Sequence, residues 1–422
     1  MAPARPLAVL SGLAAGALLG VIANTTLSGT ATLDGLLRYG SDPIGTIFLR
    51  LLLMLVLPLV LAGLANAIAT FDLKDLGRLG LRALGYTIVV SAIAVLIGIT
   101  TIRVLEPGAG LSDEARATLA EAAKKNADRV AEMKAGNKSG ADLLVTMVPD
   151  NVIKAAATDN MLAVMVFALF LGVGLTLTRT AASERLRESL EGLFDVSMRL
   201  VALVLKLAPL GVGALVFSTT ARLGVSVLSA LAGYVGAVLL ALAIHQFGVY
   251  SLALRWLGKM SPAHFFRSVR RAMLTAFSTA SSNATLPTAI DVAETELRLP
   301  ARSARFMLTV GSVMNQNGTA LFEGMTVLFL AQLYGIDLSL SSQLTVVLVA
   351  ILGGIGTAGV PAGSLPVVIM LLGMVGVPAE GVGMVLGVDR LLDMCRTTLN
   401  VTGDLVAAVV VTRGEREAMS AP

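Results

Sequence analysis

Apolar residues run through this chain in long stretches, and most polar residues collect between them. The stretches lie near 7–27, 42–70, 75–104, 160–179, 190–221, 224–257, 302–335 and 378–411. A helix rises about 1.5 Å per residue, so roughly 20 apolar residues cross the hydrocarbon core of a bilayer. The pattern therefore predicts eight membrane spans, several of them long enough to be tilted or partly enclosed in protein. The first run, Leu7 to Ile22, also has the length of a secretory signal core. No convincing cleavage site with a polar mature chain follows it, and it reads as a first span.

Two further regions are semi-apolar but broken. Residues 263–298 contain FSTASSNATLP and residues 341–376 contain GGIGTAGVPAGSLP. Non-helical backbone at membrane depth persists only where protein or a water-filled cavity satisfies its polar groups. Two such interruptions in corresponding parts of a chain point to a transporter binding site between re-entrant hairpins. Ordinary loops beside short surface helices are the alternative, and the apolar flanks argue against it. Residues Leu111 to about Lys138 differ in kind. They are rich in Ala, Glu, Lys and Asp with a helical period, and read as a solvated amphipathic helix in an outside loop.

Composition agrees with the pattern. Of 422 residues 55% are apolar and only 14% charged, and the mean hydropathy is +0.82; a soluble domain needs more charge to cover its surface. The net charge of +4 is not a nucleic-acid signal, because basic patches interleaved with aromatic residues are absent. The excess sits instead in short connections: Lys74, Arg78 and Arg82, then Arg179, Arg185 and Arg187, then Arg255, Lys259, Arg267, Arg270 and Arg271. The positive-inside tendency puts these segments and the N-terminus in the cytoplasm, and an even span count returns Arg413 and Arg416 there. The expected location is the inner (plasma) membrane. One cysteine, Cys395, cannot form an intrachain disulfide framework. His245 and His264 leave little for a metal site or a catalytic triad, so an enzyme is not expected and no cofactor is implied.

Two spans carry unusual polarity. The seventh holds MNQNGTALFEG, Met314 to Gly324. Asn, Gln, Thr and Glu inside a span are costly unless they face a cavity or pair with a partner. Gly318 with Asn315 and Asn317 predicts local unwinding, which frees carbonyl oxygens for a cation or substrate; interhelical hydrogen bonds are the alternative. The eighth holds VDRLLDMCRTTLNVTGD, Val388 to Asp404. Asp389, Asp393, Arg396, Asn400 and Asp404 recur there at three- and four-residue spacings, forming one polar stripe. The planar fork of Arg396 matches a carboxylate, and Asp393 suits an ammonium group. An internal Arg396–Asp393 ion pair is the competing reading.

These residues carry a resemblance that covers nearly the whole chain and is strongest from Thr275 to Val411. The serine-rich TASSNATLP, the span-seven NQNGTAL, the second-hairpin IGTAGVP and the DMCRTTLNVTGD of span eight, in that order, resemble the glutamate transporter family of dicarboxylate/amino acid:cation symporters. The resemblance implies an all-α polytopic membrane protein with eight transmembrane helices plus two re-entrant helical hairpins, an elevator-type transporter assembled as a homotrimer. It implies scaffold spans over 1–74 and 160–222, a transport-domain span over 75–105, an outside loop over 106–159, a transport core over 223–414 and a cytoplasmic tail over 415–422. It also implies that Arg396, with Thr319, holds the side-chain carboxylate of an acidic amino acid. Asp393 would take its amino group, and Asn400 with Ser281 and Ser282 its α-carboxylate. Thr397 would line the pocket, and the second hairpin with Gly359 and Val360 would close over it. Relatives that carry neutral amino acids lack the arginine.

The same resemblance extends to the coupling ions. One sodium site matches Gly311, Asn315, Asn400 and Asp404 in residue type. A second, of backbone at Gly354 to Thr357 and span seven, has Gln316 beside it where relatives carry methionine. A third departs: Asn317 stands where relatives carry aspartate, and Val90–Ser91 where they carry Thr-Ser, so a charge and a hydroxyl are lost. Glu323 stands where mammalian relatives carry a proton-carrying glutamate and sodium-only archaeal relatives carry glutamine. The expected function is inward symport of glutamate or aspartate with H+ through Glu323. Coupling through two Na+ sites, and a C4-dicarboxylate or neutral amino acid carrier, remain as alternatives. A channel is disfavoured because a single Arg/Asp pair suits one zwitterion rather than a symmetric pore. The expected partners are the substrate and the lipid bilayer, with no nucleic acid.

Overall fold

The computed structural model describes residues 6–69, 78–110, 119, 148–158, 160–178, 180–356 and 364–414, and every regular element among them is helical. Six helical stretches there are long and apolar enough to cross a membrane: Ala8–Leu27, Ala31–Ala69, Arg82–Gly110, Ala181–Leu223, Ser226–Trp256 and Ala379–Val411. The fourth apolar run forms a shorter helix, Met161–Leu177, whose first turn is capped by Asn160. The seventh is divided into Ala301–Met314 and Asn317–Leu333, so neither half alone reaches the length of a span.

Several of these stretches are bent, and the bends have local causes. The second begins at Ala31 with Thr30 as its N-cap. It then widens into a π-helical turn over Leu37–Ser41 and resumes as Asp42–Leu53 and Val56–Ala69. A second π-turn, Ile244–Val249, interrupts the sixth run between Ser226–Ala243 and Tyr250–Trp256.

Both broken regions fold back as pairs of helices. In the first, Arg270–Thr279 ends at Ala280, which adopts the left-handed conformation (φ 48°, ψ 39°), and the chain returns as Ser282–Thr295. In the second, Leu340–Gly356 runs in and Ser364–Val375 runs out. Its tip, with Gly359 and Val360, lies outside the described residues, as do the segment Leu111 to Lys138, expected to form an outside loop, apart from Leu119, and the segment 415–422.

The helices form two groups that also touch one another, Ala208–Leu223 and the N-terminal helix on the C-terminal helix and Val56–Ala69 on the second hairpin. The N-terminal helix lies on Ala208–Leu223, with Gly12, Gly16 and Gly20 at the contact. The backbones approach so closely that a Cβ on Gly12 would clash with the Pro209 carbonyl oxygen. Val56–Ala69 packs on Met161–Leu177 and Ala181–Val204. The third, sixth and seventh runs pack on one another, and the sixth and seventh with the first hairpin surround the C-terminal helix Val382–Val411. In that helix's most apolar window 78% of residues are buried, against 22% in the N-terminal helix, so the polar stripe of the chain lies at the centre of its core.

Candidate substrate and ion site

The site is built where the seventh run breaks. The break falls at Asn315 and Gln316, within the segment whose Asn315, Asn317 and Gly318 predict unwinding, and Gly318 already stands in the first turn of the following helix. Gly318 is required for a different reason. A Cβ there would lie 2.9 Å from the Arg396 carbonyl oxygen and 3.1 Å from Asn400 Oδ1, so only glycine lets this turn lie on the C-terminal helix. Its N–H donates to Asn400 Oδ1 at 2.7 Å. Asn400 Nδ2 donates to Gln316 Oε1 (2.6 Å) and to Thr319 Oγ1 (3.1 Å), and Gln316 Nε2 donates to the Ser312 carbonyl (2.8 Å). The two helices are thus locked by a buried polar network whose members satisfy one another.

Arg396 is the largest fully buried side chain among the described residues. Its Nη2 donates to Asp393 Oδ1 at 2.9 Å and to Asp389 Oδ1 at 3.0 Å, and its Nη1 donates to Ser364 Oγ at 3.0 Å. The guanidinium lies 3.8 Å over the ring of Phe322, a cation–π contact. The internal ion pair weighed in the sequence is therefore present, with Asp389 as a second acid. Arg396 is not exhausted by it: Nε is buried and has no hydrogen-bond partner, which leaves a donor for a planar carboxylate. Arg390 reaches the same cluster, its Nη1 3.7 Å from Asp393 Oδ2. Thr397 is buried on the same helix, and Cys395, beside Arg396, is partly buried.

A second cluster surrounds Asp404. Its Oδ1 accepts from Asn315 Nδ2 at 3.0 Å, and Gly311 lies against it, so three of the four residues named for the first sodium site lie together. Asn400, one turn earlier on the helix, points its amide into the Gly318 network instead. Asn317 continues the chain of bonds from Asp404. Its Nδ2 donates to Asn315 Oδ1 (3.1 Å) and to the Tyr250 hydroxyl (3.0 Å), while its Oδ1 accepts from Ser91 Oγ (2.6 Å). Tyr250 in turn donates to the Leu399 carbonyl at 3.3 Å. Asn317 and Ser91 therefore touch, and Val90, which is buried, offers no side-chain oxygen. Both amide hydrogens and the carbonyl of Asn317 are engaged by protein groups.

Glu323, one turn beyond Thr319, is fully buried, and neither carboxyl oxygen has a hydrogen-bond partner. The inward arm of the second hairpin covers it: a Cβ built on Gly353 would lie 3.3 Å from Glu323 Oε2. At the first hairpin tip, Ser281 caps the returning helix by accepting from the Ala284 N–H at 3.2 Å. Ser282 is buried with its hydroxyl unpartnered.

Two contributors, Ser364 and Phe322, have no role in the sequence; Asp389 stands there only as a member of the polar stripe and Gln316 only beside the second sodium site. Asp389 was legible, since seven residues separate it from Arg396 and a 3.6-residue period returns both to nearly the same face. Ser364 was not, because its contact depends on how the second hairpin folds back.

Comparison with known proteins fits this geometry. The sequence profile of the sodium:dicarboxylate symporter family matches residues 6–413. The chain is 34% identical over 406 residues to the proton/sodium-glutamate symport protein of Bacillus subtilis (strain 168), covering 95% of this chain and 91% of the relative. It is 33% identical to the proton/glutamate-aspartate symporter of Escherichia coli (strain K12), covering 89% and 85%. It is 30% identical to excitatory amino acid transporter 1 of Ambystoma tigrinum, covering 89% and 77%. With a match that spans the six membrane-length helices and every polar cluster described above, the chain belongs to the sodium:dicarboxylate symporter family, and it is a membrane transporter rather than an enzyme.

Proposed function

We propose that this chain is a secondary active symporter that carries glutamate or aspartate inward with H+, the proton riding on Glu323. The observation that carries the reading is the state of Glu323: fully buried, with both carboxyl oxygens unpartnered. A bare carboxylate enclosed this way costs several kcal/mol, whereas a neutral acid is tolerated, so the side chain is suited to moving as a proton carrier. Arg396, with its unpartnered Nε, supports recognition of a side-chain carboxylate, assisted by Thr319. Asp393 is the acceptor for the substrate ammonium. Ser281, Ser282 and Asn400 hold the α-carboxylate, Thr397 lines the pocket, and the second hairpin with Gly359 and Val360 closes it. The relatives named as glutamate and glutamate-aspartate symporters support the substrate class.

In this reading the protein crosses the inner membrane eight times with both termini in the cytoplasm, and three copies assemble through the first, second, fourth and fifth spans. The remaining spans and both hairpins move as one body; the packing of the third, sixth and seventh runs on one another supports that division. The third sodium site is lost, since the amide of Asn317 fills by hydrogen bonds the role an anionic ligand would take. A second reading, coupling to Na+ at Gly311, Asn315, Asn400 and Asp404, is favoured by the meeting of Asn315, Gly311 and Asp404.

The test is uptake of labelled aspartate and glutamate into proteoliposomes under a pH gradient or a sodium gradient, for wild type and Glu323→Gln. Uptake driven by the pH gradient in wild type and lost in the variant, with exchange of internal for external substrate retained, is the expected result. Uptake driven by sodium alone and indifferent to the substitution sinks the proton reading and leaves the sodium one.

A further inference from the structure

Arg390 has no part in the scheme above, yet it reaches the same cluster. It stands seven residues before Thr397, so the two lie within about 20° of one helix face, about 10.5 Å apart along the axis. Its Nη1 lies 3.7 Å from Asp393 Oδ2, while the other oxygen of Asp393 accepts from Arg396 at 2.9 Å. At 3.7 Å the contact is charge pairing, beyond hydrogen-bond range. The side chain is 21% exposed, and Nε is enclosed without a hydrogen-bond partner. Asp393 is thus flanked by two guanidinium groups, each with an unused buried donor.

The charges of the cluster decide what this arrangement is for. Asp389 and Asp393 contribute two negative charges, Arg390 and Arg396 two positive ones. With Arg390 the cluster is neutral; without it a net negative charge would face an incoming anion. Glutamate and aspartate each arrive with two carboxylates and one ammonium, hence with a net negative charge. A neighbouring charge at partly buried depth changes the affinity for an anion by about tenfold or more.

We propose that Arg390 is a specificity-determining residue of the substrate site, its positive charge offsetting Asp393 so that the site accepts a substrate of net negative charge. The inference rests on the acidic-substrate reading given above. It also assigns Arg390 a property that a purely structural side chain would lack: its effect scales with the charge of the ligand.

The experiment compares wild type, Arg390→Gln and Arg390→Lys as full-length protein in liposomes. It measures kcat and KM for aspartate, and inhibition of aspartate uptake by succinate, which carries two negative charges and no ammonium. In Arg390→Gln the KM for aspartate is expected to rise about tenfold with kcat within about twofold, and the inhibition constant of succinate to rise by roughly the square of that factor. Arg390→Lys keeps the charge and is expected to stay within about threefold of wild type. The proposal is overturned if Arg390→Gln leaves both constants unchanged, if it moves both by one factor, or if the lysine variant behaves like the glutamine variant. Wild-type protein that takes up aspartate while Arg390→Gln matches it removes this inference alone. Wild-type protein that takes up neither acidic amino acid removes the acidic-substrate reading, and this inference falls with it.

Discussion

Asp404 Oδ1 lies 2.8 Å from the point where a Cβ on Gly311 would stand, and the Asp404 carboxyl carbon 3.1 Å from it. Glycine is therefore the residue that lets this carboxylate sit between the seventh and eighth apolar runs, where it accepts from Asn315. Gly311→Ala forces the carboxylate aside. Overpacking of this kind costs about 1–3 kcal/mol. The expected outcome is a lower melting temperature in detergent together with loss of any stabilisation by sodium. A variant that melts with wild type and keeps its sodium response would show that the carboxylate moves freely and that the close approach has no role in holding a cation.

Removing Arg396 strands two buried carboxylates, so Arg396→Gln alone confounds folding with recognition. The informative variant is Arg396→Gln together with Asp389→Asn, which removes one charge of each sign. Its melting temperature is expected to stay near wild type while affinity for aspartate falls at least about a hundredfold, the cost of a lost charge-assisted pair in a buried site. Binding followed by quenching or calorimetry would measure this. Aspartate bound with wild-type affinity by the double variant would remove Arg396 from the substrate site.

Asn317 donates twice and accepts once. Aspartate at this position keeps the acceptor for Ser91 but loses both donors, leaving Tyr250 and Asn315 without their partner. In sodium-free buffer Asn317→Asp is expected to be destabilised by about 1–3 kcal/mol. Sodium at 100 times its dissociation constant would return about 2.7 kcal/mol if the third cation site is thereby restored. Melting curves in choline and in sodium chloride distinguish the cases. Equal melting in both salts would mean that Val90, which supplies no oxygen, prevents the site from forming even with the charge in place.

Much of this architecture could be read from the chain because the bilayer simplifies the code. Length and apolarity locate spans, and a polar residue within one must have a partner or a function. That logic marks the 378–411 stripe, the two broken regions and Glu323 as a polar residue inside an apolar run, though not its lack of partners. It names Asn315, where the seventh run breaks, but not the use of Gly318, which here is close approach to Arg396 and Asn400. It also left Ser364 and Phe322 without roles. Their contacts with Arg396 cross from the second hairpin and the seventh run to the eighth, and no periodicity within one helix reports them. Asp389 is the intermediate case, visible as a member of the stripe yet not as the second acid on Arg396.

The only thiol in the 422-residue chain is Cys395, partly buried and next in sequence to the arginine at the centre of the site. The unaltered protein is for that reason already a single-cysteine protein with its attachment point at the place of interest. A small fluorophore or spin label on Cys395 senses the Arg396 helix without any cysteine having first been removed. The rate at which a thiol reagent reaches it, measured with and without aspartate and at either face of the membrane, becomes a native clock for when that helix is open to water.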